Sequence, residues 1–137
     1  EAFSGNGGLY GKGRWHSIGR PIVYVAQHVS LAMAESLVHL QRSNTIAPHN
    51  RWVIEIPDKH IATSPTLPAG WKKKYAITQK IGDQWLKSGS SVAMLVPSAI
   101  VDTEMNCLIN PAHPKFSLSW VRSGPHVFTF DPRLTQP

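Results

Sequence analysis

Residues 11–26 read GKGRWHSIGRPIVYVA. The last six, PIVYVA (21–26), are apolar, β-branched and opened by a proline, so they read as a buried strand. Residues 14–16 read as a second, shorter strand. In a strand, Arg14 and Trp15 point to opposite faces. Trp15 then anchors in the core, and Arg14 is a basic residue held at a defined place. Five glycines fall within residues 1–13, which makes the stretch before Arg14 loop or turn.

A helix follows the strand. In SLAMAESLVHLQR (30–42), Leu31, Ala34 and Val38 recur at helical spacing, and Met33, Leu37 and Leu40 widen the apolar face. Ser30 is the expected N-cap, and Arg42 suits the last turn. RWVIEIP (51–57) alternates like a strand. TSPTLPAGW (63–71) is a loop. Residues 72–87 form a second helix, with Ile77, Ile81 and Trp85 on one stripe and Gly89 just past its end. The remainder is strand-rich: SVAMLVP (91–97), CLIN (107–110), FSLSWV (116–121) and HVFTF (126–130), mostly separated by proline or glycine. The pattern is that of an α+β domain with little helix in its second half.

The chain has 137 residues, with 42% hydrophobic and 16% charged residues. That suits one domain with its own core, here 1–137. One cysteine, Cys107, excludes an internal disulfide framework. No apolar run of about 18 residues exists, so no membrane span is expected, and no signal peptide is seen. Fourteen Lys and Arg against eight acidic residues give +6. That charge favours an anionic partner: nucleic acid, a phosphorylated small molecule or an acidic protein. The one dense basic run, WKKKY (71–75), is short enough to be a solvated helix start.

Familiar motifs fail. For a G-x-G-x-x-G loop, Gly5 and Gly7 need a glycine where Tyr10 stands. A Walker loop ending at Lys12 needs one where Asn6 stands. The seven histidines make no ligand spacing, and no metal site is expected; His39, His113 and His126 read as structural or surface residues. No G-x-S-x-G elbow occurs.

Four residues look misplaced. Glu35 lies beside the apolar stripe of the first helix. A carboxylate there needs a salt bridge, a polar cleft or a raised pKa. It is either ion-paired to an arginine or a catalytic or ligand-binding acid. Ser98 follows Pro97 at the end of an apolar strand, and Asn110 ends CLIN before Pro111. Each suits a turn hydrogen bond. Tyr24 sits in the buried strand, where a core tyrosine makes one hydrogen bond.

Taken together, these segments resemble the RES domain family. The resemblance rests on FSGNGGLYGKGRWHSIGRPIVYVAQHVSLAMAESLVHL (3–40), followed in order by IGDQWL, VPSAI, NCLINPAHPKF and FDPRL. It spans nearly the whole chain. It matches the arginine, glutamate and serine that give the family its name to Arg14, Glu35 and Ser98, and adds Tyr24 and Asn110 to the site. It implies an ADP-ribosyltransferase-like fold, with two small, mostly antiparallel sheets and flanking helices around an NAD cleft. It also implies a cytoplasmic bacterial toxin, paired with an Xre-type helix-turn-helix antitoxin and able to form a homodimer in that complex. The implied activity is NAD consumption by a glycohydrolase or phosphorylase. The alternative is mono-ADP-ribosylation of a protein. NAD is then the substrate, and no resident cofactor is expected. Family members usually open with a strand carrying another arginine; none precedes Phe3, so that strand is expected to be missing here. Familiar ADP-ribosyltransferases carry their catalytic glutamate late in the chain, whereas Glu35 is early and helical.

The chemistry suits these residues. Cleaving NAD releases neutral nicotinamide, so the leaving group needs little acid help. The positive charge left on ribose calls for a carboxylate, the role implied for Glu35. Arg14 can grip phosphate with its planar fork. Tyr24 can stack on the cationic nicotinamide. Ser98 and Asn110 can hold the carboxamide or ribose hydroxyls, or position Glu35. A different class, an RNA-directed basic toxin, would draw on the histidines and the lysine run. It lacks an aromatic and basic stacking platform, and under the family reading DNA contact belongs to the antitoxin.

Overall fold

The structure, a computed structural model, describes residues 2–43 and 49–134, and for 40–43 the backbone alone. The expectations for the Leu40 and Arg42 side chains fall outside that description. In chain order the elements are α1 (Gly7–Tyr10), β1 (Val23–Ala26), α2 (Val29–Ser43), β2 (His49–Ile54), β3 (Ile61–Thr63), α3 (Tyr75–Ser88), β4 (Ala93–Pro97), β5 (Met105–Ile109) and β6 (Val121–Phe128). Four strands form one sheet in the order β1-β5-β4-β3, and β2 pairs with β6 in a second. All pairs are antiparallel except β3 with β4. That parallel pair is joined through α3, as a parallel connection requires. The fold is therefore α+β with two small, mostly antiparallel sheets, as the sequence led us to expect.

The register sorts side chains by face. Tyr24 lies opposite Leu108, and Ala26 opposite Asn106. Met94 lies opposite Leu108, and Val96 opposite Asn106. Residues directly opposite share a face, so Tyr24, Met94, Val96, Asn106 and Leu108 all project to one side. There α3 packs Trp85 and Leu86 onto Met94, Val96 and Leu108, with Trp15 and Ile22 completing the core. Each large side chain so buried contributes roughly 1.5–3 kcal/mol. The other face carries Val23, Val25, Leu95 and Cys107. It borders a mostly apolar cavity of about 610 Å³, lined on the far side by Trp52 and Phe128 among others. Burial pushes the Cys107 thiol up to about 11, against a weaker opposing hydrogen bond at Met94, so it packs as an apolar group.

Several sequence expectations are corrected. Residues 14–16 are not a strand. Gly13 and His16 form an isolated bridge around a tight turn, yet Trp15 is in the core all the same, 2% exposed. β3 was not expected; only its last residue, Thr63, falls in the loop expected at 63–71. Its three residues are too few to show a period, and its partner lies across α3. The expected strands at 116–121 and 126–130 are one strand, β6, preceded by a 3-10 turn at Leu118–Trp120. Gly124 and Pro125 sit inside it, where the pairing slips between Arg51 and Val53. A bulge tolerates proline without ending the strand. Ser30 lies within α2, which begins at Val29, so it is not the N-cap. WKKKY is a 3-10 turn at Trp71–Lys73 leading into α3.

Candidate functional site

The Arg14 turn is moulded by α3. Thr78 is fully buried, and its Oγ1 donates to the Arg14 carbonyl at 2.5 Å. Gln79 Nε2 donates to the Gly13 carbonyl at 2.9 Å, and Asp83 Oδ1 accepts from the Ser17 N–H at 2.8 Å. At Gly82 the backbone of the turn comes so close that a Cβ would stand 1.6 Å from the Trp15 carbonyl oxygen. Positions 78, 79, 82 and 83 share one helix face, so a single face of α3 fixes the turn.

The Arg14 guanidinium lies 4.4 Å from the centre of the Tyr75 ring and 5.6 Å from that of Trp71. Its Nη1 donates to the Lys72 carbonyl at 2.8 Å and its Nη2 to Tyr75 Oη at 3.1 Å. Guanidinium carries five N–H donors, so three of them have no partner among the described residues.

Tyr24 joins this turn through its hydroxyl. Its Oη accepts from the Trp15 N–H at 3.2 Å and lies 2.6 Å from His16 Nδ1. His16 Nε2 lies 2.8 Å from the Gly11 carbonyl, which can only accept. His16 therefore carries its proton on Nε2 when neutral, and Nδ1 accepts from Tyr24. Gly13 leaves room for this contact: a Cβ there would be 2.8 Å from His16 Cε1 and 2.9 Å from Tyr24 Oη. As a residue, Tyr24 nevertheless remains 42% exposed. Burial of the hydroxyl holds the phenol well above its ordinary value, against the opposing Trp15 hydrogen bond, so it stays neutral. A half-exposed neutral tyrosine with a tethered hydroxyl is suited to stacking.

Glu35 is reached from the β4–β5 hairpin. Ser98 Oγ donates to Glu35 Oε1 at 3.1 Å, and Asn106 Nδ2 donates to the same oxygen at 2.8 Å. Among the described residues nothing donates to Oε2. The arginine salt bridge weighed above does not form: the ion pairs among the described residues are Lys72–Asp102, Arg122–Glu55 and Arg133–Asp131. Ser98 is 1% exposed and also accepts from the N–H groups of Ile100 and Val101, each at 3.0 Å. One donor and two acceptor positions exhaust a hydroxyl. Ser98 is thus both the turn residue and the holder of Glu35.

The two ends are linked. Tyr24 and Asn106 are diagonal neighbours on one sheet face, about 7–8 Å apart. Lys72, whose carbonyl takes Arg14, pairs with Asp102 in the hairpin loop after Ser98. The structure does not bring Asn110 to this group. It lies past the far end of β5, about 13 Å along the strand from Asn106. Its Oδ1 accepts from the Ala112 N–H at 3.1 Å. Sequence reasoning missed Asn106, His16 and the polar face of α3. Among the described residues no cluster of three or more His, Cys, Asp or Glu side chains gathers as a metal would need.

Comparison with known proteins places the chain in a family. The RES domain matches residues 1–131. The chain belongs to the RES domain family. It is 43% identical over 126 residues to a Yersinia enterocolitica protein named Toxin Res, covering 89% of this chain and 83% of that one. It is 39% identical over 134 residues to the Toxin Res of Pseudomonas putida, covering 96% and 91%. A Sphingobium protein named Prs ADP-ribosylating toxin is 42% identical over 143 residues, covering 98% of this chain and 87% of its own. The toxin role expected of a RES domain stands with these relatives.

Proposed function

We propose that this RES domain consumes NAD by breaking the bond between nicotinamide and ribose. The observation that carries the reading is the carboxylate of Glu35, held by Oε1 with no donor to Oε2 among the described residues, beside the sheet face that carries the half-exposed Tyr24. Tyr24 stacks on the cationic nicotinamide. The remaining N–H groups of Arg14 take the pyrophosphate. Departure of neutral nicotinamide leaves positive charge on ribose, and Glu35 Oε2 stabilises it. Water or phosphate then completes hydrolysis or phosphorolysis at the same carbon. NAD is substrate, and no resident cofactor enters.

A second reading is favoured by one observation, the name of the Sphingobium relative: the same cleavage, with a protein side chain as acceptor. The net charge of +6 suits both dianionic NAD and an acidic antitoxin surface. An Xre-type antitoxin, a homodimer in its complex and work in the cytoplasm belong to this proposal. No helix among the described residues is long and apolar enough to cross a membrane. NAD labelled in its ADP-ribose half separates the readings, given to protein freed of antitoxin. Free ADP-ribose, or its phosphate when phosphate is present, means degradation. Label fixed on protein means transfer. No nicotinamide release, together with salt-sensitive RNA binding, contradicts both.

A further inference from the structure

Asn106 touches the Glu35 carboxylate and opens the NCLINPAHPKF block, yet the resemblance gives it no part in the site. It projects from β5 on the face shared with Tyr24 and Val96, and donates to Glu35 Oε1 at 2.8 Å. Ser98 donates to the same oxygen at 3.1 Å from the adjacent strand end. Two donors on one oxygen define the roll of the carboxylate, and they leave Oε2 as the oxygen with no donor among the described residues. One donor alone fixes a distance but lets the group turn about it. Ser98 cannot do more, because its lone pairs are taken by Ile100 and Val101. We infer that Asn106 is a positioning residue: it locks Glu35 so that Oε2 faces the ribose of the bound dinucleotide. This rests on the NAD reading of the site.

The surrounding elements bear on the test. Tyr24 on β1 is neutral. Asp102 in the hairpin loop is paired with Lys72. Glu104 lies just before β5, with its Oε1 buried and without a partner among the described residues. An aspartate at 106 would put a further carboxylate against Glu35, at nearly the same shape. Like charges there cannot both ionise freely.

The experiment measures steady-state NAD cleavage by the full chain, freed of antitoxin, for Asn106→Ala, Asn106→Asp and Glu35→Gln. Asn106→Ala is expected to lower kcat about 10- to 100-fold, the scale of a misplaced catalytic group, with KM within about threefold. Asn106→Asp, which keeps the shape and so the fold, is expected to move the acid limb of the activity profile to higher pH. An unchanged kcat in Asn106→Ala, or a raised KM alone, overturns the inference while an inactive Glu35→Gln leaves the NAD reading standing. An unmoved acid limb in Asn106→Asp also overturns it and assigns Asn106 a purely structural part. Turnover retained by Glu35→Gln overturns the NAD reading and this inference together.

Discussion

The Arg14 turn and the Glu35 carboxylate lie at two ends of one sheet face and are held in different ways. The turn is fixed by bulk as well as by hydrogen bonds to its backbone. Trp15 is sunk in the core, Gly82 admits its carbonyl, and Thr78, Gln79 and Asp83 bind its backbone. The carboxylate is fixed by two hydrogen bonds to a single oxygen. Packing is costly to disturb and forgiving of chemistry. A hydrogen-bonded carboxylate is the reverse. Damage at the first end should appear as lost stability, and damage at the second as lost rate.

Gly82→Ala tests the first end hardest. Its methyl would overlap backbone, which cannot swing aside, so the turn or α3 must shift. We expect about 3 kcal/mol of lost stability, at the upper end for overpacking, read as a fall in Tm on the order of 10 °C. Unchanged stability would mean that the helix does not mould the turn. Ser98→Ala probes the residue that serves turn and carboxylate at once. It should lower kcat by about 10- to 100-fold, or about 1.4–2.8 kcal/mol of barrier. It should also cost about 1–2 kcal/mol of stability, since two N–H groups lose their acceptor. A stability loss with full kcat would detach Ser98 from Glu35. Lys72→Ala removes the link between the two ends. Both partners are exposed, at 43% and 77% for Lys72 and Asp102, so stability should change by less than about 0.5 kcal/mol. A larger change would show the two ends coupled more tightly than their contacts suggest.

The sequence shows these two ends unequally. The apolar stripes that build α2 and α3 are visible, and so is the oddity of Glu35 beside one of them. The identities of Arg14, Tyr24 and Ser98 as site residues come from family resemblance, because each has an ordinary structural reading. Asn106 is invisible for a physical reason: it stands just before the strand expected at 107–110, where an asparagine reads as an ordinary turn residue. Only the register that sets it opposite Val96, next to Ser98, gives it a carboxylate to hold. His16 was one histidine of seven, weighed as a metal ligand rather than as the acceptor for a tyrosine. The mould on α3 was hidden because nothing in Thr78, Gln79, Gly82 and Asp83 tells what that side of the helix meets. They face a turn formed more than sixty residues earlier. Asn110 differs from the other site candidates in its surroundings. The resemblance carried it into the site, whereas the structure gives its side-chain oxygen to a local turn.

The central claim is that Glu35 acts on NAD through Oε2, the carboxylate oxygen that its two donors do not hold. Nicotinamide release from NAD by purified protein, compared with Glu35→Gln at matched stability, tests it most directly. The account predicts steady release by the native chain and a fall of at least about 1,000-fold in the variant, the scale of losing an electrostatic stabiliser. Release at the native rate by Glu35→Gln would contradict it.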